Sequence, residues 1–379
     1  KAFAEAGIDP AARIVIVTDP GSPLDTSSRQ AGFQVFNADP NVGGRYSALT
    51  AFGMVPSGLA GADITTLVAS ANQAAPTFSY NSTDNPALWL GAAFARSTGS
   101  SGYRDKFLIE TDHLPGFGDW AEQLVAESTG KEGRGILPVV VTSSAPELSL
   151  ELTDVLIIRF SDQEPLSEHI TFSGDLGELF LLWEHATAIA GYLMGTNPFD
   201  QPNVESAKIA SRELLDAPAQ ITEVDFVDRG TKVKAYGFEV MGSTVEAAIE
   251  QLLEKATSLS YFSIQAYLNR EEYPQLEKLR DILAARTSRP VTFGWGPRFL
   301  HSTGQYHKGG PKQALVIQIT GEHGHDLDVP GRPFSFGTLI QAQAQGDAIV
   351  LSNAGLAVVS LEFADPLAGF EQLSKVIAS

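Results

Sequence analysis

The stretch GYLMGTNPFDQPNVESAK, residues 191–208, runs from an apolar helix end through a turn into a new helix start, and it presents Asp200, Gln201, Glu205 and Lys208. The residue before a proline is driven out of the right-handed helical region and the proline nitrogen cannot donate, so Asn197-Pro198 breaks the first helix and a second begins at about Pro202. Glu205 and Lys208 then fall on one face, where the Lys208 ammonium and its neighbours can point into a cleft; the same spacing equally fits a capped surface helix with an ion pair. In VGGRYS (42–47), Gly43 and Gly44 are followed by Arg45. That order suits close approach of a ligand to backbone beside a fixed positive charge for a developing oxyanion, or simply a turn with a salt-bridged arginine. RFLHSTGQYHKGGP (298–311) holds His301 in a Gly- and Ser-rich turn, either a general acid that titrates near neutrality or a residue that hydrogen-bonds its own loop. WAEQLVAESTGKEGRG (120–135) closes a helix with Glu127 among glycines, in isolation the pattern of a solvated cap.

Something has to hold these segments in place. Continuous apolar, β-branched runs at 13–18, 136–141 and 155–160, with shorter ones at 34–36 and 106–110, read as strands of buried parallel sheets. Residues 48–62 are apolar enough for a buried helix, and helical periodicity covers 63–77, 86–97, 119–126 and 180–194. Beyond a loop-rich region at 230–234, helices are expected at 245–257 and 274–286 and strands at 261–267, 291–293, 314–319 and 358–363. Strands alternating with helices predict an α/β protein with tandem doubly wound parallel-sheet units and a C-terminal α/β domain. The divisions expected are 1–62, 63–216 and 217–379. No tandem repeat or low-complexity tract interrupts them.

Composition narrows the partners. The 379 residues suffice for two or three domains, and 43% hydrophobic content can fill their cores. Neither an apolar run long enough to span a bilayer nor a signal peptide is evident, so a cytoplasmic protein without a membrane partner is expected. With no cysteine, thiolate nucleophiles and cysteine zinc sites are excluded. The balance of 26 basic against 45 acidic residues gives a net charge of −19, a field that repels nucleic acid. A small anionic substrate would need a local cluster of basic side chains and backbone N–H groups.

Weaker signals add little. His323 and His325 in EHGHD have metal-ligand character but lack a clear third ligand, and Asn81 sits in a glycosylation sequon with no secretion signal beside it. Gly130-Lys131 has the look of a phosphate-binding loop, yet Val125 stands where the first glycine belongs and Glu132 where Ser or Thr should bind magnesium. Neither G-x-G-x-x-G nor G-x-S-x-G occurs, which removes support for nicotinamide binding and α/β-hydrolase chemistry.

Four of these segments together resemble the phosphoglucose isomerase (glucose-6-phosphate isomerase) family, of the sugar-isomerase (SIS) type. FDQPNVESAK is similar to its lysine signature, although Asn203 stands where the family usually has Gly or Ala. VGGRYS is similar to its GGR-Phe/Tyr-Ser segment, AESTGK to its ESxGK segment and LHSTGQ to its LHSxGQ segment. The order, with LHSTGQ last, looks like that of the isomerase half fused behind transaldolase.

The resemblance implies interconversion of glucose 6-phosphate and fructose 6-phosphate through a cis-enediolate, with neither metal nor organic cofactor, in a homodimer. Glu127 is then the base that carries a proton between two sugar carbons and Arg45 steadies the enediolate. His301 and Lys208 move the protons of ring opening, with His185 in WEHATAIAG a rival to His301, and Gly44, Gln201 and Ser302 bind substrate. A Ser/Thr-rich phosphate loop of the form SKSGTT is expected upstream of the strand at 13–18, hence before Lys1, so this chain alone is expected to bind sugar phosphates poorly. A non-catalytic sugar-phosphate sensor, or an isomerase that also accepts mannose 6-phosphate, remains open.

Overall fold

A computed structural model of the chain describes residues 2–96, 98–99, 102–161, 169–216, 223–322 and 326–379. His323 and His325 lie outside them, as does the side chain of Glu205 and with it the proposed ion pair to Lys208. The chain forms two compact units, one of residues 1–93 and 173–189, the other of 94–172 and 190–379.

In the first unit, α1 (Ala2–Glu5) precedes β1 (Val15–Thr18), which pairs in parallel with β2 (Gln34–Asn37) through the crossover helix α2 (Pro23–Gln30). Ser22 caps α2, its Oγ accepting from the Asp25 N–H at 3.1 Å, with Pro23 at the first helical position. This helix was not expected from the sequence. Helix α3 (Ala51–Leu59) has no fully buried residue, so the buried helix expected there is a half-buried one. Helix α4 (Ile64–Ser79) packs on the early turns of α7 (Leu176–Met194), and a Cβ on Gly177 would overlap the Leu67 carbonyl. Helix α5 (Pro86–Arg96) and α7 each cross the division between units.

The second unit contains, besides the two-residue strands β3 (Thr98–Gly99) and β4 (Gly102–Tyr103), two larger sheets. One is wholly parallel in the order β6-β5-β7-β8, from β5 (Lys106–Glu110), β6 (Leu137–Val141), β7 (Val155–Phe160) and β8 (His169–Phe172), with α6 (Phe117–Thr129) joining β5 to β6. The other has the order β12-β11-β13-β14-β10-β9. Its parallel part consists of β11 (Tyr261–Ala266), β12 (Val291–Trp295), β13 (Ala314–Gly321) and β14 (Ala357–Phe363). Beside β14 run two antiparallel strands, β10 (Thr231–Tyr236) and β9 (Phe226–Asp228). The architecture is therefore mixed α/β, the two larger sheets of the second unit being one parallel and one mixed.

Residues 230–234, expected as loop, instead open β10. In TKVKAY, Thr231, Val233 and Ala235 turn inward while Lys232, Lys234 and Tyr236 stay half-exposed, the two-residue period of a strand buried on one face. The helices α9 (Val245–Leu253), α10 (Lys278–Thr287) and α13 (Pro366–Ala378) cover one side of this sheet, burying Ile249, Leu283 and Ile377 against Val233, Phe262 and Ile264. On the other side Tyr261, Val316 and Val358 share a core with Leu108, Leu137, Val139 and Val155 of the parallel sheet, and Tyr306 of α11 (Ser302–Gly309) belongs to it. Helix α8 (Val204–Asp216) packs on α12 (Phe336–Asn353).

Candidate active site

Within the second unit three helix ends meet. Helix α6 finishes at Thr129 and is C-capped by Gly130, α8 starts just after Asn203, and α11 starts after His301. The segment expected to be a turn around His301 is thus a short 3-10 stretch, Arg298–Leu300, running directly into a helix.

The fully buried side-chain amide of Gln305 sits where they converge. Its Nε2 donates to Gly130 O and to Asn203 Oδ1, both at 2.8 Å, and its Oε1 accepts the Asn203 backbone N–H at 2.8 Å. Both amide hydrogens are used, so the orientation of the group is fixed by its partners. The backbones lie close for a reason readable in the glycines. A Cβ on Gly309 would stand 2.5 Å from Asn203 Oδ1 and 2.6 Å from Gly130 O, and one on Gly130 would stand 2.5 Å from Tyr306 Cα. The Gly133 N–H donates to Gly309 O at 2.8 Å.

A second tie comes from Lys131, the lysine of the segment that failed the phosphate-loop test at Val125 and Glu132. Its buried ammonium donates to Asp200 Oδ1 at 2.7 Å and to the carbonyl of Asn197. A third tie is Arg298, which reaches Glu122 Oε2 at 2.6 Å and the Asp119 carbonyl at 2.9 Å, joining the start of the histidine segment to α6. Burial pushes the Glu122 carboxyl up to about 7, with the Arg298 charge opposing and that of Asp119 adding.

Glu127 lies in the last turn of α6, 7% exposed, and its Oε2 accepts from Gln123 Nε2 at 3.2 Å. Lys208 is half-buried in the second turn of α8 and Gln201 is exposed ahead of it. His301 is exposed and occupies the N-cap of α11; Ser302 is buried, with a φ of 31°, and donates from Oγ to Arg298 O at 3.2 Å. The structure therefore gathers the segments bearing Glu127, Gln201, Lys208, His301 and Ser302 into one unit. A carboxylate, an amine and an imidazole on converging helix ends are a set able to move protons.

Arg45 and Gly44 lie in the first unit, in the 3-10 turn Gly44–Tyr46, where Arg45 is 4% exposed and its guanidinium carbon stands 5.6 Å from the Tyr46 ring centre. Open space faces the Cβ position of both Gly43 and Gly44. His185, also in that unit, sits mid-helix in α7 with Nδ1 2.9 Å from Leu181 O and its ring tilted against Phe78.

Sequence reasoning missed Gln305, Asn203, Lys131 and Arg298 as structural ties. The signals were present: Gln305 ends the LHSTGQ motif, Lys131 ends ESTGK, and Asn203 is the departure from the lysine signature.

A mixed α/β fold with parallel and mixed sheets is the class that these observations define. No protein-family model matches the chain. Its sequence is 29% identical over 252 residues to a curated protein named glucose-6-phosphate isomerase from Clostridium tetani, covering 52% of this chain and 56% of that one. A protein of the same name from Heliobacterium modesticaldum is 29% identical over 262 residues, covering 54% of this chain and 59% of that one. The chain thus spans less than two thirds of the length of these relatives, and the likeness supports an assignment at the level of the family. A crystal structure of a glucose-6-phosphate isomerase from Chlamydia trachomatis covers 59% of this chain and 56% of that chain at 20% identity and a TM-score of 0.46, too loose a likeness to bear on the fold. Among the described residues no helix is long and apolar enough to cross a membrane.

Proposed function

We propose that the chain is an aldose–ketose isomerase acting on glucose 6-phosphate and fructose 6-phosphate. The observation that carries this reading is the joining of three sequence-distant motif segments, AESTGK, FDQPN and LHSTGQ, by Gln305 and Lys131. The similarity to proteins named for this reaction supports it.

In this reading His301 and Lys208 move the protons that open the sugar ring. The Glu127 carboxylate removes the proton on the carbon beside the carbonyl, the C–H electrons form a carbon–carbon double bond, and the carbonyl electrons move onto oxygen as a cis-enediolate. Arg45 stabilises that charge. Return of the proton to the former carbonyl carbon, with the neighbouring hydroxyl's proton passing to the former carbonyl oxygen, completes the exchange, so atoms balance without redox cofactor or metal. Gly44, Gln201 and Ser302 contact the substrate. His301 is favoured over His185 because it lies at an exposed helix start, whereas His185 bonds within its own helix. Division into SIS units at 62 and 216, and assembly as a homodimer, belong to the same proposal.

The test is a coupled assay converting fructose 6-phosphate to glucose 6-phosphate, run on the chain and on its Glu127→Gln variant. Turnover that collapses in the variant supports the reading. Sugar phosphate bound without turnover, with glucose- or mannose-type substrates alike, overturns it in favour of a sensor.

A further inference from the structure

We propose that Gln305 is a positioning residue of this site: its side-chain amide fixes the helix carrying Glu127 and the helix carrying Lys208 against the helix that His301 begins. The proposal rests on the isomerase reading and adds to it a residue that touches no substrate. Each of the three contact points lies within about a turn and a half of a proton-moving residue: Gly130 follows Glu127 on α6, Asn203 precedes Lys208 on α8, and Gln305 follows His301 on α11. A displacement at the amide is therefore a displacement of the reacting groups relative to one another.

The chemistry at the junction is asymmetric in a way that identifies the residue type. Gly130 O and Asn203 Oδ1 are both acceptors, and only a group with two hydrogens on one nitrogen can serve both while also accepting the Asn203 N–H. Glutamate has the same shape but at neutral pH only accepts, so it would set a carboxylate against two oxygens. Asn203 is itself the departure from the family's lysine signature, where Gly or Ala is usual. Its side chain supplies this chain with a bond that those residues lack, and Gly309 leaves the room for it.

The experiment compares the whole chain with Gln305→Glu, Asn203→Ala and the double variant in two readouts. One is kcat and KM for fructose 6-phosphate at pH 7.5, corrected for folded fraction; the other is hydrogen exchange of peptides spanning 127–136 and 197–208. The expected result is a kcat about 10- to 100-fold lower in Gln305→Glu with KM within about threefold, a smaller loss in Asn203→Ala, and a double variant no worse than Gln305→Glu, because both substitutions act through one junction. Exchange should quicken in those two peptides and not in β11 or β13. An unchanged kcat per folded molecule beside an active wild type overturns the proposal while leaving the isomerase reading standing. If the wild type binds sugar phosphate but does not turn it over, the isomerase reading fails, and the exchange pattern decides the junction by itself: local acceleration upholds it and a uniform or absent change overturns it.

Discussion

Lys308 and Asp347 meet at 2.6 Å between α11 and α12, the lysine side chain 2% exposed and the aspartate fully buried. Lys308 also donates to Phe299 O at 2.7 Å, while burial pushes the Asp347 carboxyl upward against the opposing Lys308 charge. Truncating one member leaves the other charged or polar group unpaired in the interior, which costs about 3–5 kcal/mol. Lys308→Met should therefore lower stability by that order in urea unfolding. The double variant Lys308→Met, Asp347→Leu should recover much of the loss; equal losses in the single and double variants would refute the pairing.

The Lys131 clasp predicts a different balance. Asp200 is half-exposed, so water can replace its partner, but the Asn197 carbonyl would lose a donor. Lys131→Met should cost about 1–3 kcal/mol, and Asp200→Asn about 1 kcal/mol or less, as read from denaturant midpoints.

Replacement of Glu127 tests chemistry and not folding. General-base catalysis contributes about 10²–10⁴-fold, so Glu127→Gln should lower kcat by that factor. Its thermal midpoint should stay close to the wild type's, since glutamine can keep a hydrogen bond with Gln123.

His307, buried between the Tyr261 hydroxyl at 2.7 Å from Nδ1 and Ser263 Oγ at 3.4 Å from Nε2, predicts an acid limb to stability. Burial first, and the Lys308 charge second, push its pKa down from 6.5 to about 3. Between those values the unfolded chain binds a proton that the folded chain refuses, so stability is full above about 6.5 and falls as pH drops toward 3. The loss from this group approaches about 1.4 kcal/mol per pH unit. His307→Gln cannot titrate; its stability deficit at pH 7 should shrink steadily by pH 4. A deficit independent of pH would show that the histidine is not held neutral.

The parallel strands were legible because runs such as RIVIVT and LPVVV are almost wholly apolar and β-branched. Helix α12 was not, although Ser335 caps it by accepting from the Thr338 N–H at 3.1 Å, because its buried side includes Ala342, Ala344, Gly346 and Asp347, too small or too polar to register as a stripe. Helix α13 was not expected either, although Asp365-Pro366 offers a cap followed by a proline at the first helical position. In the site, motif spelling pointed to Glu127, Lys208 and His301. Gln305 escaped because an amide's importance depends on what faces it, and its partners lie in segments distant in sequence. The glycine in LHSTGQ carried a steric message of the same kind: a Cβ on Gly304 would overlap the Phe299 carbonyl and approach Lys308 Nζ to 2.8 Å.

The placement of β14 governs how the second unit can come into being. It is the last strand of the sequence but an interior strand of its sheet, paired on one side with β13 and on the other with β10, more than a hundred residues earlier. As the chain leaves the ribosome, β13 and the β9–β10 hairpin must wait as two unpaired edges until residues 357–363 emerge, a state exposed to pairing with neighbouring chains. Translation that stops short of Ala357 would leave the hairpin without its seat, whereas a stop after Phe363 would remove α13 and spare the sheet's pairing.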